Sequence, residues 1–161
     1  MANVFDVSSY FVMRGVEEKF PITQISLQKL LYFAQGFHLA YRRECLFADK
    51  IYAWKFGPVV RTVFDQYRVF GRQLITPDSP HLICMGGKLP GNRAQLTAEN
   101  QVFLEDIWAT LGKKLPFELV QLTHKKGSPW HQVYREHEGQ IPHDTEITPA
   151  AMLDYFSKYA I

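Results

Sequence analysis

The feature that most constrains the fold is a run of apolar residues too dense for a surface helix, Leu27–Gly36. Two stripes at helical spacing lie side by side in and just beyond this run: Leu27, Leu30, Leu31, Ala34, His38 and Tyr41 form the first, and Leu30, Phe33, Phe37 and Ala40 the second. Because both stripes need cover, we predict that a helix from about Ser26 to Arg43 runs through the middle of the domain. Its motif residues Leu30, Phe33 and Phe37 are assigned to the core.

The rest of the chain predicts more helices and little sheet. A chain of 161 residues, 47% of them hydrophobic, can build a sizeable core, and one domain spanning 1–161 is expected. Apolar spacing, Gly and Pro breaks and capping residues predict helices at Val4–Met13 (ended by Gly15), Pro58–Phe70 and Pro116–His124, and others that begin at Thr97, Ser128 and Thr148. Short β-prone pieces lie at Cys45–Trp54, with one more strand expected at His81–Met85. The predicted fold class is mainly α: a compact helical domain around a buried central helix, with a small β-hairpin or short β element.

Cysteine usage and hydropathy indicate the compartment. Cys45 and Cys84 are far apart and form no CxxC pair, so no disulfide framework is expected. The chain shows no leader-like start and no apolar run near the ~20 residues that span a bilayer. We therefore expect a cytoplasmic protein without a membrane partner.

The charge balance argues against a dedicated nucleic-acid binder. The formal net charge is +2, and the tightest basic pairs, Arg42-Arg43, Lys113-Lys114 and Lys125-Lys126, fall at predicted helix ends. A DNA-binding helix from Pro58 would have to present Arg61 and Arg68 outward, whereas its spacing predicts a mostly core-facing helix. DNA binding by this chain alone is not expected.

Catalytic and metal-binding patterns are weak. The six histidines include no pair at i, i+4, so no metal is assigned, and Gly86-Gly87-Lys88 does not fit a phosphate loop. Ser128 has His124 and His131 near it in sequence, but Ser before Pro129 is explained as a helix cap. We assign no catalytic residue and no cofactor, and His124 is interpreted as a structural residue at a helix end.

Aromatic and turn residues offer a possible interaction surface. Trp54 and Trp130 are assigned structural roles, whereas interface hot spots are enriched in Trp, Tyr and Arg. The candidate partner-binding residues are Tyr32, Phe56, Gly57, Pro58, Arg61 and Tyr67. The same residues would serve a core equally well, and sequence alone leaves both assignments open.

Three segments carry a family resemblance. They read "LQKLLYFAQG" from Leu27, "AWKFGPVV" from Ala53, and "LTH" followed by "SPW" between Leu122 and Trp130. In this order they resemble the Panacea antitoxin domain, also called the SocA-like or phage-associated GepA-like family.

The resemblance implies an antitoxin of a bacterial or phage toxin–antitoxin system. Its partner would be a cognate protein toxin, neutralised by direct binding rather than by an enzymatic reaction. One alternative is a proteolytic adaptor that delivers the toxin to an ATP-dependent protease. Two others are a small hydrolase-like enzyme, which would need a polar pocket at His124, Ser128 and His131, and a DNA binder.

Overall fold

The computed structural model describes residues 1–159 and confirms a mainly α fold with a short β element. The last two residues of the predicted 1–161 domain lie outside this part. The elements in chain order are α1 (Val4–Glu17), α2 (Gln24–Arg42), β1 (Ile51–Trp54), β2 (Gly57–Val60), α3 (Arg61–Tyr67), α4 (Ala98–Leu111), α5 (Pro116–Thr123), α6 (Pro129–Glu136), β3 (Glu146–Ile147) and α7 (Pro149–Phe156), with 3₁₀ turns at Arg68–Phe70, Pro80–Met85 and Arg93–Gln95.

Helix α2 is the centre of the protein, as its two apolar stripes predict. Leu30, Phe33 and Phe37 are all buried, and α2 contacts α1, α3, α4, α5, α7 and β2. The Thr23 hydroxyl caps its start by accepting a hydrogen bond from the Ser26 amide at 3.3 Å. Arg43, with a φ of 61°, ends it in the left-handed region. The helix thus begins two residues before the predicted start.

The buried side chain of Gln35, on α2, hydrogen-bonds to backbone groups that belong to no helix or strand. The Gln35 Oε1 atom accepts hydrogen bonds from the amides of Leu46 (2.7 Å) and Phe47 (3.3 Å). The Gln35 Nε2 atom donates to the Phe47 carbonyl at 2.9 Å. Because buried backbone groups need partners, this one amide side chain lets the segment before β1 pass through the core.

Replacing Gln35 with leucine should therefore destabilise the fold although the new residue is apolar. Each buried backbone group left without a partner costs roughly 1–3 kcal/mol, and we expect a total loss of about 2–3 kcal/mol in urea unfolding. Gln66→Leu, at an exposed position of α3, is the matched control. Equal unfolding midpoints for the two variants would contradict the bridging role of Gln35.

The C-terminal helix α7 packs directly on α2. The Phe156 ring lies where a side chain at Gly36 would stand, so α2 needs a glycine there. The same ring makes edge-to-face pairs with Tyr32, Phe33 and Phe37, with ring centroids 4.9 to 6.0 Å apart. Gly36 and Phe156 together hold α7 against the central helix.

The β element differs from the prediction in its strands: of the β-prone pieces within Cys45–Trp54 only Ile51–Trp54 forms a strand, and Leu46-Phe47 does not. Strands β1 and β2 form an antiparallel hairpin whose tip is Lys55-Phe56, and β3 pairs with the other side of β1. Pro58 lies in β2, opposite Ala53, and does not begin a helix as predicted. Proline has no N–H to donate, which suits an edge strand as well as a first helical turn. The helix begins only after β2, at Arg61.

Three further local predictions are wrong. Gly15 lies inside α1, where a Cβ would come within 2.7 Å of the Phe20 carbonyl, and does not end the helix. The expected strand at His81–Met85 belongs to a 3₁₀ turn, capped by Ser79. The helix predicted to be mostly core-facing lies at the surface: Arg61 on α3 and Arg68 in the 3₁₀ turn that follows are both exposed, and Arg68 pairs with Asp65 at 2.8 Å. No helix within residues 1–159 combines the length and apolar character required to cross a membrane.

Candidate interaction site

The three segments singled out in the sequence meet at the β-hairpin. The Lys29 Nζ atom donates a hydrogen bond to the Pro58 carbonyl at 2.9 Å. Gly57 has a φ of +112°, and a Cβ there would lie 2.9 Å from Thr123 Oγ1 and 3.1 Å from Lys29 Cε. Because that backbone conformation is strained for other residues and the space is filled, glycine is required at this position.

The neighbouring residue Gln28 extends this contact along β2. Its Oε1 atom accepts a hydrogen bond from the Val60 amide at 2.8 Å, and its Nε2 atom donates to the Val60 carbonyl at 3.4 Å. Side chains of α2 thus take the place of a further strand at the outer edge of β2. The first segment holds the second in position.

The third segment supports the end of β1. The indole Nε1 atom of Trp130 donates to the Trp54 carbonyl at 2.6 Å, and the His124 ring stacks on Trp130 with centroids 3.7 Å apart. The Ser128 hydroxyl donates to the Thr123 carbonyl at 2.8 Å and accepts from the His131 amide at 3.1 Å. These bonds fix α5, α6 and the hairpin relative to one another.

The contacts of Ser128 make it a helix cap. Its buried hydroxyl already donates one hydrogen bond and accepts another, as described above.

Burial is the main cause that lowers the pKa of His124, to about 4, and the nearby charge of Lys29 adds to it. The Phe56 carbonyl close to the His124 ring opposes this shift. His124 is therefore neutral at pH 7, and its Nε2 atom has no hydrogen-bond partner of normal geometry among residues 1–159. Within these residues, no three His, Cys, Asp or Glu side chains come together in a cluster that would hold a metal ion.

The hairpin tip presents a large apolar side chain to solvent. Phe56 is 62% exposed, and the Lys55 Nζ atom lies 5.6 Å from the centre of its ring. The tip is a tight turn on a hairpin braced from below by Lys29 and Trp130. Aromatic side chains held on rigid supports are typical anchors of protein interfaces.

A largely apolar pocket of about 330 Å³ opens beside this tip. One wall is Trp54, whose ring packs edge-on against Phe64 at 4.9 Å and stacks on His143 at 4.4 Å. The Trp54 Nε1 atom donates to the His143 carbonyl at 2.9 Å, which fixes the indole. Ile25 and Val59 add further apolar surface.

Lys29 is one of the residues that line the pocket. Its side chain is only 2% exposed, and burial lowers its pKa to about 7. Within the described part of the chain, the Pro58 carbonyl is its one hydrogen-bond acceptor. The pocket thus contains an amine that gains or loses its charge near neutral pH.

Comparison with known proteins supports the family resemblance that the three segments carry. Residues 27–131 match the model of the family described as antitoxin SocA-like, Panacea domain. The chain belongs to this family. The matched range includes the hairpin, Lys29 and Trp130, whereas His143 and α7 lie beyond it.

One curated relative is the antitoxin SocA of Caulobacter vibrioides (strain NA1000 / CB15N). The two proteins are 32% identical over 113 residues, which cover 68% of this chain and 58% of the relative. The alignment thus spans less than two thirds of the relative's length. No solved structure matches the chain.

The structure separates the six candidate contact residues of the Panacea domain into three groups. Phe56 and Arg61 are exposed, and Gly57 and Pro58 are buried in β2. Tyr32 and Tyr67 are core residues, so placing them on a shared surface was wrong.

Packing explains why the two tyrosines are buried. Tyr32 packs between Phe33 and Phe156 at 5.2 and 5.4 Å, and Tyr67 packs against Phe70 at 6.1 Å. Burial raises the pKa of both phenols above its usual range.

Sequence reasoning missed Lys29, Phe64 and His143. A lysine within a helix that is apolar around most of its circumference is itself a signal, because lysine is almost never fully buried without a partner. Phe64 and His143 carried no comparable signal, since only the fold brings their rings to Trp54.

Burial of the Lys29 amine should make stability depend on pH. The unfolded chain keeps an ordinary lysine pKa, so between pH 7 and pH 9 it binds a proton that the folded protein has lost. Stability should then rise by about 2–3 kcal/mol over this range. Urea unfolding of the wild type at both pH values, compared with Lys29→Met, measures the effect. A rise of the same size in Lys29→Met would assign it to other groups.

Proposed function

We propose that this protein is a non-enzymatic antitoxin that neutralises a cognate protein toxin by direct binding. Its contact region, here called the hairpin surface, consists of Lys55, Phe56, Arg61 and the rim of the pocket at Trp54 and Phe64. The observation that carries the proposal is that segments characteristic of an antitoxin family converge to hold one exposed aromatic side chain on a braced hairpin.

The distribution of burial supports a binding role for this surface. Lys29, Gly57 and Trp130 are all buried and act on the hairpin from beneath, whereas Phe56 at its tip faces solvent. A prepared surface loses little side-chain and loop entropy when a partner binds. Rigid support of this kind therefore favours tight association.

The size of the protein is compatible with inhibition by surface coverage. A standard interface buries about 800 Å² on each partner. The accessible surface of the described chain is 8558 Å², so such an interface would occupy roughly a tenth of it. The hairpin surface and the adjoining face of α3 can form its centre.

Co-expression tests the proposal directly. The protein is produced together with the products of adjacent genes, and we expect one of them to arrest growth alone and to form an isolable complex with this protein. Toxin concentration is followed in the same cells by immunoblotting. Rescue with a stable complex and unchanged toxin supports direct neutralisation. Rescue through protease-dependent loss of the toxin would instead show the adaptor mechanism, and absence of any rescue would contradict an antitoxin role.

A further inference from the structure

The Lys29 amine has hydrogen-bonding capacity that the described residues do not use. A lysine ammonium has three N–H donors, and Pro58 provides its one acceptor among residues 1–159. Lys29 also forms part of the lining of the pocket beside the hairpin. A buried ammonium with spare donors is a site for an acceptor from outside.

The charges around the pocket favour an anionic acceptor. Its lining contains two lysines, Lys29 and Lys55, and the imidazole of His143, but neither aspartate nor glutamate. The walls are the apolar side chains Trp54, Phe64 and Val59. A ligand that matches this pocket combines an apolar group with a carboxylate.

We propose that the pocket receives an acidic–apolar segment of the toxin. An aromatic or aliphatic side chain packs against Trp54 and Phe64, and a neighbouring carboxylate accepts hydrogen bonds from the Lys29 Nζ atom. This proposal rests on the proposed function, because it names the chemistry of the partner at the hairpin surface.

The cost of Lys29 to folding supports a role in binding. Burying an ammonium without a carboxylate is unfavourable, and an apolar side chain of similar length often stabilises a protein at such a position. The Pro58 carbonyl alone offsets little of this cost. A perturbed titratable group in a cleft is a functional-site candidate on physical grounds, and a bound carboxylate would supply the missing partner.

The groups around Lys29 define how binding depends on pH. His124, at the end of α5, has a pKa lowered to about 4 and stays neutral above pH 5. Lys55 in the hairpin and His143 at the rim are the other basic groups of the lining. Histidines commonly titrate near neutral pH, so the variant His143→Gln is needed to separate its contribution from that of Lys29.

A pair of small probes tests the pocket without knowledge of the toxin. The purified full chain is titrated with 3-phenylpropionate and with the neutral 3-phenylpropanamide, and binding is followed by NMR. At pH 6 we expect the acid to bind at least tenfold more tightly than the amide. Between pH 6 and pH 8 the acid should lose about tenfold in affinity as Lys29 loses its proton, while affinity for the amide stays constant.

Variants assign the preference to the amine. Lys29→Met should abolish the preference for the acid, whereas Lys55→Met and His143→Gln, which remove the other basic groups of the lining, should only reduce it. Phe64→Ala should weaken binding of the acid and binding of the amide by the same factor, because it removes only an apolar wall of the pocket. The melting temperature of each variant confirms that it is folded.

Two results would overturn the proposal: equal affinity for the acid and the amide in the wild type, or an unchanged preference in folded Lys29→Met. Either leaves the proposed antitoxin function standing, since growth protection is measured separately. Failure of growth protection with an intact probe preference would instead reject the function while retaining the anion-binding pocket.

Discussion

Replacing Phe156 with alanine is expected to lower the free energy of unfolding by about 3–5 kcal/mol, the usual cost of deleting a buried aromatic ring. The side chain is 2% exposed and fills the space above Gly36. It also makes aromatic pairs with Tyr32, Phe33 and Phe37 on α2. A cavity at this point would remove the cover from the most buried face of the central helix.

Equilibrium unfolding in urea measures the loss, and Phe117→Ala is the matched control. Phe117 is 59% exposed on α5, so its replacement should change stability by no more than about 0.5 kcal/mol. Phe156 lies beyond the range 27–131 that matches the family model. A wild-type midpoint for Phe156→Ala would mean that the C-terminal helix does not complete the core.

The central helix is the part of the fold that its sequence predicts best. Periodicity alone places Leu30, Phe33 and Phe37 in the core, because two adjacent apolar stripes cannot both face solvent. The same periodicity gives no reason for a glycine at Gly36. Its reason is the ring of Phe156, far along the chain, and a contact of that kind appears only once α7 packs against α2.

The hairpin shows where local patterns mislead. Pro58 after Gly57 fits the start of a helix and also an edge strand, and the local sequence does not distinguish the two. The strand conformation is stabilised by Gln28 and Lys29, whose side chains hydrogen-bond to the backbone at the outer edge of β2. A strand as short as β3, with two residues, carries no periodic signal at all.

The candidate site was predicted in part. Phe56 is among the candidate contact residues named from the sequence, and the structure places it, 62% exposed, at the hairpin tip. Tyr32 and Tyr67 were misplaced because aromatic residues suit interfaces and cores equally, and burial follows from packing against Phe156 and Phe70. The pocket is assembled from α2, the hairpin, α3 and the segment before β3, so no single stretch of sequence reveals it.

The second large expected effect is functional: Phe56→Asp should weaken toxin binding about 100-fold or more. Loss of an interface hot spot costs at least ~2 kcal/mol, and a carboxylate facing an acidic partner segment adds repulsion, which together give about 3 kcal/mol. Calorimetry on the isolated complex measures the affinity. Growth protection should fail when antitoxin and toxin are expressed at similar levels. The melting temperature should change little, since the side chain is already largely in solvent.

Tyr41→Asp provides the control that ties this effect to the hairpin surface. Tyr41 is 71% exposed near the C-terminal end of α2, whereas Lys29 and the hairpin lie near its N-terminal end. Because an α-helix rises about 1.5 Å per residue, the separation of twelve residues from Lys29 to Tyr41 corresponds to roughly 18 Å. We expect Tyr41→Asp to protect cells as well as the wild type does. If Tyr41→Asp abolished protection and Phe56→Asp preserved it, the toxin would dock at the opposite end of the central helix, beside the hollow formed by Tyr41 and Val102.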